Sequence, residues 1–303
     1  MTLKMQKKNL EKSNRLICLG TAGLNDINYG FSNSKNQYPK IELLNYAINC
    51  GVNAIDSSPR YGKSENIVGK YLYKKKKELF ISSKIDNLEI KNQNIVDIMF
   101  KSVQSSIKKL NLKKLNLCYL HQNDIQIISD KNIQKGLKLL KDYELVDTVG
   151  TSVYELHELE YTVDSFFYDW VQIPVNITDT YFYNYLIKKK SNIKIAARSI
   201  LLQGILFQRE NVIKKNVASS NNLYKYISSL KSDLSIDEKI FKQLTISYLN
   251  YLPKLSKIII GSVSPVHLKF FMDSLNKSID KNTLDIINER AYSQKEWTNP
   301  RNW

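Results

Sequence analysis

Residues Leu79–His121 read LFISSKIDNLEIKNQNIVDIMFKSVQSSIKKLNLKKLNLCYLH, two short apolar runs with a helical pattern between them. The runs Leu79–Lys84 (LFISSK) and Asn116–His121 (NLCYLH) are mostly apolar without polar alternation, as in strands buried on both faces. Between them Ile95, Met99, Val103, Ile107 and Leu110 recur at steps of four and three, which is one face of an amphipathic helix. Strand, helix and strand around a buried sheet is the repeating unit of parallel α/β folds.

The unit recurs in both directions along the chain. Upstream lie Arg15–Leu19 (RLICL) and Asn53–Asp56 (NAID); downstream lie Thr148–Ser152 (TVGTS), Trp170–Pro174 (WVQIP), Ile193–Arg198 (IKIAAR) and Lys257–Gly261 (KIIIG). The segment Asn132–Tyr143 repeats the helical spacing with Ile133, Leu137 and Leu140. Eight alternations in 303 residues predict a single-domain α/β protein, a (β/α)8 TIM barrel, over residues 15–303. Residues 1–14 (MTLKMQKKNLEKSN) read as a basic N-terminal extension. An open dinucleotide-binding sheet would carry a Gly-rich fingerprint after its first strand. Gly20-Thr21-Ala22-Gly23 lacks the third glycine and the helix that should follow, so that fold is disfavoured.

Composition narrows the class. Hydrophobic residues make up 43% of the chain, ample for a packed core. No apolar stretch approaches the ~20 residues of a membrane span. The basic start has no apolar h-region, so no secretory signal is read. Cys18, Cys50 and Cys118 are an odd set in apolar surroundings, which reads as reduced, buried thiols in a cytoplasmic protein without a metal site. The formal charge is +16, yet only six of the 45 basic residues are Arg and Lys comes in runs such as Lys74–Lys77 and Lys188–Lys190. Readers of nucleic acid favour the planar Arg fork. The charge therefore reads as solvated helix faces with a general pull on anionic ligands.

In a barrel of this kind chemistry sits at the C-terminal ends of the strands. The second run ends in Asp56, with Tyr61 five residues on; the third ends in Lys84 and the fourth in His121. An acid, a phenol, an amine and an imidazole thus converge on one mouth. A phenol with an ordinary pKa near ~10 is a poor acid at neutral pH. An adjacent ammonium stabilises the phenolate, an Asp holds that ammonium, and the His orients a substrate oxygen. Such a set suits protonation of a carbonyl oxygen. Arg60 fits either a substrate contact or a solvent position, and His157 a surface one. Trp297 and Trp303 fit either a pocket wall or a packing role.

The segment Gly51–Leu72, GVNAIDSSPRYGKSENIVGKYL, resembles the signature of the aldo-keto reductase family, in which a strand-end Asp precedes the catalytic Tyr by five residues. SSKID around Lys84 and LCYLHQND around His121 resemble the segments carrying the remaining tetrad members, and the similarity extends over roughly Arg15 to Leu275. The resemblance implies an NAD(P)H-dependent oxidoreductase that interconverts an aldehyde or ketone and an alcohol. Asp56, Tyr61, Lys84 and His121 would be its catalytic tetrad, with Tyr61 the general acid. It implies that Ser152 and Gln172 hold the nicotinamide carboxamide and that Gly20, Thr21 and Ala22 underlie the ribose and pyrophosphate. Arg198, Ser199, Leu201 and Gln203 would flank the nicotinamide and pyrophosphate. Gly261, Ser262 and Ser264 would form the adenosine-phosphate pocket, and a helix N-terminus is a phosphate site on its own terms.

Departures from the family pattern bear on the cofactor. Val153 stands where an Asn is frequent, His267 where many members place an Arg for the 2′-phosphate, and Phe270-Phe271 where they place Glu-Asn. Both NADP and NAD therefore stay open. The segments Tyr29–Asn33 (YGFSN) and Arg198–Gly204 (RSILLQG) are similar to bacterial members found among polysaccharide-biosynthesis enzymes, which implies a sugar-like substrate. The family's potassium-channel β-subunits supply the alternative, a catalytically weak regulatory module that keeps the cofactor.

Overall fold

The computed structural model describes residues 15–24, 38–75, 78–91, 94–217, 220–262, 264–293 and 295–299. The extension 1–14, the segment Tyr29–Asn33 and Trp303 lie outside the described residues. Eight strands, β1 (Leu16–Gly20), β2 (Ala54–Asp56), β3 (Phe80–Ile85), β4 (Leu115–Leu120), β5 (Val146–Ser152), β6 (Trp170–Pro174), β7 (Lys194–Arg198) and β8 (Leu255–Gly261), form a closed barrel in chain order. Every neighbouring pair is parallel, and β8 returns to β1 with Gly20 opposite Gly261. The predicted barrel is the observed one.

Helices alternate with the strands: α1 (Lys40–Asn49), α2 (Ser64–Lys75), α3 (Ile95–Leu110), α4 (Ile125–Ser129), α5 (Lys131–Asp142) and α6 (Leu156–Asp164) in the first half. The second half carries α7 (Tyr181–Lys188), α8 (Glu210–Asn216), α9 (Ser220–Asp233), α10 (Glu238–Ser247), α11 (Pro265–Leu275) and α12 (Lys281–Ala291). Their ends follow local chemistry. The Asp130 carboxylate accepts from the N–H groups of Asn132 and Ile133 to start α5. Glu155 and Glu158 form a capping box at α6, and Asn111 closes α3 in the left-handed region at φ 55°. On α3, Ile95, Met99, Val103 and Leu110 are buried as the spacing predicts.

Two apolar layers result. The larger lies between the sheet and the helices. The smaller comprises Cys18, Ala54, Leu117, Tyr119, Trp170, Ala196 and Ile259, drawn from alternate positions on six strands, and fills the lumen. Gly150 permits that filling: a Cβ there would lie 2.7 Å from the Trp170 carbonyl oxygen and 2.9 Å from Tyr119 Cδ1.

Two strands run further than the apolar runs. β5 begins at Val146 and β8 at Leu255, because ladder pairing continues through Leu115 opposite Val146 and Ile195 opposite Leu255. The polar Asp147 and Ser256 mask those extensions in the sequence. One thiol corrects the sequence reading. Cys18 and Cys118 are buried and pushed up to about 12 by desolvation, but Cys50 closes α1 and is only partly buried. His157 on α6 is exposed as expected.

Candidate active site

The strand ends bring four side chains together. In the ladder Gly20 faces Asp56, Asp56 faces Ser82, and Lys84 faces Tyr119, so β2 and β3 aim Asp56 and Lys84 into the same mouth. The Lys84 ammonium is ion-paired to Asp56 Oδ1 and donates to the Ser57 carbonyl at 2.9 Å. A turn closed by the Tyr61 N–H on the Ser58 carbonyl (3.0 Å) swings the Tyr61 ring over Lys84, with Nζ 5.3 Å from the ring centroid. His121 follows β4 and meets Tyr61 edge-on, ring centroids 6.1 Å apart. Its Nδ1 lies 3.0 Å from the Ser58 hydroxyl.

Burial and charge compete in this cluster. Burial pushes the Asp56 carboxyl up, but Lys84 and Lys257 outweigh it and hold the group below its ordinary value. Burial pulls the Lys84 ammonium down, and Asp56 and Tyr61 more than reverse this. For Tyr61 burial wins: the phenol is raised, with Lys84 opposing and Asp56 and Tyr154 adding. The sequence reading emphasised the lowering by Lys84, whereas in this pocket desolvation is larger and Tyr61 holds its proton firmly. That keeps the hydroxyl protonated but makes it a weaker acid, so relief of the phenolate falls to Lys84.

His121 is pushed down to about 4, first by burial and then by the charges of Lys84 and Arg60, against the opposing pull of Asp86 and Asp56. The ring is therefore neutral near pH 7. An unfolded imidazole titrates near ~6.5, so between that value and 4 the unfolded chain binds more protons than the folded one. Folded stability should fall as pH falls through that window. Urea midpoints for wild type and His121→Gln, compared from pH 4 to 7.5, check this: the wild-type curve should drop more steeply on the acid side, and parallel curves would contradict it.

Asp56, Tyr61, Lys84 and His121 line one cavity of about 880 Å³. Gly20 and Ala22 form part of its wall after β1, and Ser152 and Gln172 part of its floor. There the Ser152 hydroxyl donates to Gln172 Oε1 (3.2 Å), and Gln172 Nε2 donates to Asp56 Oδ2 (3.2 Å). Arg198 at the end of β7 donates to Ser152 Oγ (3.3 Å) and to the Val153 carbonyl (2.6 Å), and its guanidinium lies 3.7 Å from the Tyr154 ring centroid. Ser199, Leu201 and Gln203 continue the wall in a loop with left-handed φ at Ser199 (53°), Leu202 (43°), Gln203 (54°) and Gly204 (90°). Left-handed residues other than glycine cost energy and cluster at binding loops. Gly261, Ser262 and His267 line the far end with Phe270 and Phe271.

Two residues of the expected set sit behind this wall. Thr21 is fully buried, its hydroxyl donating to Ser57 Oγ at 2.9 Å, and its carbonyl accepts from Ser64. The Ser264 N–H and carbonyl both engage the Ser262 hydroxyl at the start of α11. Arg60 pairs with the Asp86 carboxylate. Trp297 is buried away from the cavity, donating from Nε1 to Thr178 Oγ1 at 3.0 Å and packing edge-on against Tyr226.

Sequence reasoning missed several wall and support residues. Lys242 on α10 lines the cavity with its ammonium 5.6 Å from the Phe207 centroid. Tyr154 and Ser58 bear on Arg198 and His121, and Lys257 lies beneath Asp56 at 3.9 Å. The one signal for Lys257 was a charged residue opening an otherwise apolar run.

Comparison with known proteins gives the family and the fold. A family model described as the aldo/keto reductase family matches residues 16–291. D-arabinose 1-dehydrogenase of Saccharomyces cerevisiae is 30% identical over 139 residues, covering 43% of this chain and 41% of that protein. An aldo-keto reductase of Bacillus subtilis is 26% identical over 153 residues, covering 48% of this chain and 45% of that one. The matches thus span less than half the length of these curated relatives. Among solved structures, glycerol dehydrogenase from Gluconobacter oxydans superposes with a TM-score of 0.69 at 17% identity, over 92% of this chain and 93% of that one. An aldo/keto reductase from Klebsiella pneumoniae in complex with NADP and acetate gives 0.66 at 15% identity, over 92% of both chains. At such identities these two establish a shared fold.

Proposed function

The chain belongs to the aldo/keto reductase family, and from that premise we propose that it interconverts a carbonyl and an alcohol at the barrel mouth, using NADP or NAD. The observation that carries this reading is the Tyr61 phenol stacked beside the Lys84–Asp56 pair in the same cavity as Ser152, Gln172 and Arg198.

The residues present fit a nicotinamide dinucleotide. The cavity volume falls within the roughly 300–1,000 Å³ of small-molecule sites. Ser152 and Gln172 offer a donor and an acceptor to a carboxamide. Arg198, Lys242 and His267 line the walls toward which phosphates would lie. Such a cofactor supplies hydride to a carbonyl carbon, or accepts it from the alcohol.

The chain's own groups handle the proton. Tyr61 donates from its hydroxyl to the substrate oxygen in reduction and takes the proton back in oxidation. Lys84 stabilises the phenolate left behind, and Asp56 fixes Lys84. His121, neutral, hydrogen-bonds the substrate oxygen from the ring nitrogen not facing Ser58. Water exclusion by the cavity strengthens each of these contacts.

Two features favour a sugar-like substrate. The yeast relative is a D-arabinose 1-dehydrogenase, and the sequence of the Arg198–Gly204 loop, which lines the cavity with left-handed backbone, resembles that of polysaccharide-biosynthesis members. Titration with NADPH and NADH by nicotinamide fluorescence, followed by a panel of aldoses, keto sugars and simple carbonyls, tests the proposal. Turnover on a hydroxy-carbonyl supports it. Cofactor binding without turnover on any member supports the regulatory alternative, and no binding at all overturns the reading.

Lys242 bears on cofactor choice. His267 stands in for an Arg, and α10 packs against α11, so Lys242 places an amine on the adjoining wall. Lys242→Met should weaken NADPH binding about fivefold, the scale of a partly screened ion pair, while NADH binding changes by less than about twofold. Equal losses for both cofactors would remove Lys242 from 2′-phosphate recognition.

A further inference from the structure

Arg198 closes β7 and is almost completely buried, yet it lines the cavity together with the Tyr61 cluster. A guanidinium keeps its charge at any physiological pH, and burial leaves that charge strongly felt by whatever lies next to it. Its place is fixed from several sides. Its central carbon lies 3.7 Å from the Tyr154 ring centroid, Nη2 donates to the Val153 carbonyl at 2.6 Å, and Nη1 donates to the Ser199 hydroxyl at 3.3 Å. Nε donates to Ser152 Oγ at 3.3 Å, Ser152 Oγ donates to Gln172 Oε1 at 3.2 Å, and Gln172 Nε2 donates to Asp56 Oδ2 at 3.2 Å. The donors run in one direction, from the Arg198 cation to the Asp56 carboxylate. At the far end Lys84 already pairs with Asp56, so that carboxylate does not neutralise Arg198. Ser152 and Gln172 are the pair read above as partners of the carboxamide. The guanidinium therefore touches one of the two groups that would hold the nicotinamide.

We propose that Arg198 makes the site selective for the redox state of the nicotinamide, holding the reduced cofactor more tightly than the oxidised one. The inference rests on the proposed function, in which Ser152 and Gln172 receive the carboxamide. The oxidised nicotinamide ring is a cation and the reduced ring is neutral, while the rest of the dinucleotide carries the same charge in both forms. A fixed cation beside the ring therefore repels only the oxidised form. A cation beside the phosphates would attract both forms alike. The protein leaves the equilibrium of the overall reaction unchanged, but it sets which form occupies the site. With Arg198 in place the reduced cofactor fills the cavity and the oxidised one leaves it readily, which suits a chain that works as a reductase. The nicotinamide ring is common to NADP and NAD, so the preference should be the same for either pair.

The test is equilibrium binding of NADPH and NADP⁺, without substrate, to wild type, Arg198→Gln and Arg198→Lys, read by isothermal titration calorimetry. Wild type should bind NADPH about tenfold more tightly than NADP⁺, equivalent to about 1.4 kcal/mol. That is below what two unit charges in adjoining groups experience at an effective dielectric near ~20. Arg198→Gln keeps a hydrogen-bond donor without the charge and should bring the two affinities within about twofold of each other. Arg198→Lys keeps the charge and should retain the preference. If Arg198→Gln does not fold, Arg198→Met takes its place, and equal affinity of wild type for the two forms overturns the proposal without any variant. Equal weakening of both forms in Arg198→Gln would assign the guanidinium to the phosphates and overturn it. A preference lost in Arg198→Lys as fully as in Arg198→Gln would make shape the cause and overturn it too. Wild type that binds neither form would overturn the proposed function itself, whereas an unchanged ratio with both forms bound removes only the role of Arg198.

Discussion

Tyr61→Phe is expected to lower kcat by about 10³-fold while the dissociation constant for NADPH changes by less than about threefold. Positioned general acids contribute typically ~10²–10⁴ in rate, and the substitution removes the hydroxyl without altering the ring. The ring is what packs over Lys84 and against His121, so pocket shape should survive. An interaction lost mainly in the transition state reduces kcat and kcat/KM together. Steady-state kinetics at pH 7 with fluorescence titration of the same samples separates the two effects. Retention of more than about a tenth of kcat would assign proton transfer to another group.

Lys84→Met should do two things at once. It should reduce turnover on the scale of Tyr61→Phe, because the phenolate left after proton transfer loses its adjacent ammonium. It should also destabilise the fold. Lys84 and Asp56 are both almost completely buried, and removing one partner of such a pair leaves an uncompensated charge costing about 3–5 kcal/mol. Lys257, still near Asp56 Oδ2, should hold the loss toward the lower end of that range. Equilibrium urea unfolding of wild type and Lys84→Met reads the stability term, and assays well below the transition read the catalytic one. A stable but inactive Lys84→Met would mean that Asp56 recovers its compensation from Lys257 or takes up a proton. An active one would contradict the role of Lys84.

Most of the fold was legible because its signal is repetitive. Eight apolar runs separated by helical spacing leave few architectures, and the interval from Asp56 to Tyr61 ties the chemistry to one strand end. Strand limits were less legible at Val146 and Leu255, where the ladder continues past the polar Asp147 and Ser256. The candidate site was legible near strand ends: Asp56, Ser152 and Arg198 close their strands and Lys84 and His121 lie within one residue of an end, whereas Gln172 sits mid-strand in β6. What depended on side-chain direction was hidden. Thr21 belongs to the right loop but turns its hydroxyl to Ser57 rather than to the cavity. Lys242 reaches the cavity from a helix, and no strand-end argument finds it. Lys257 sits inside β8, well before its mouth end at Gly261, where a charged residue contradicts the expectation of an apolar lumen. Buried polar groups of this kind are high-stakes, since each must be satisfied by its neighbours, and their partners become visible only in three dimensions.

The direct measurement of the central claim is deuterium transfer. NADPH deuterated at the reactive nicotinamide carbon would be incubated with the protein and a panel of sugar and simple carbonyls, and the products read by NMR. The account predicts deuterium on the new carbinol carbon of at least one product, abolished in Tyr61→Phe at unchanged cofactor binding. Tight cofactor binding with no deuterium in any product, or transfer undiminished by Tyr61→Phe, would contradict it.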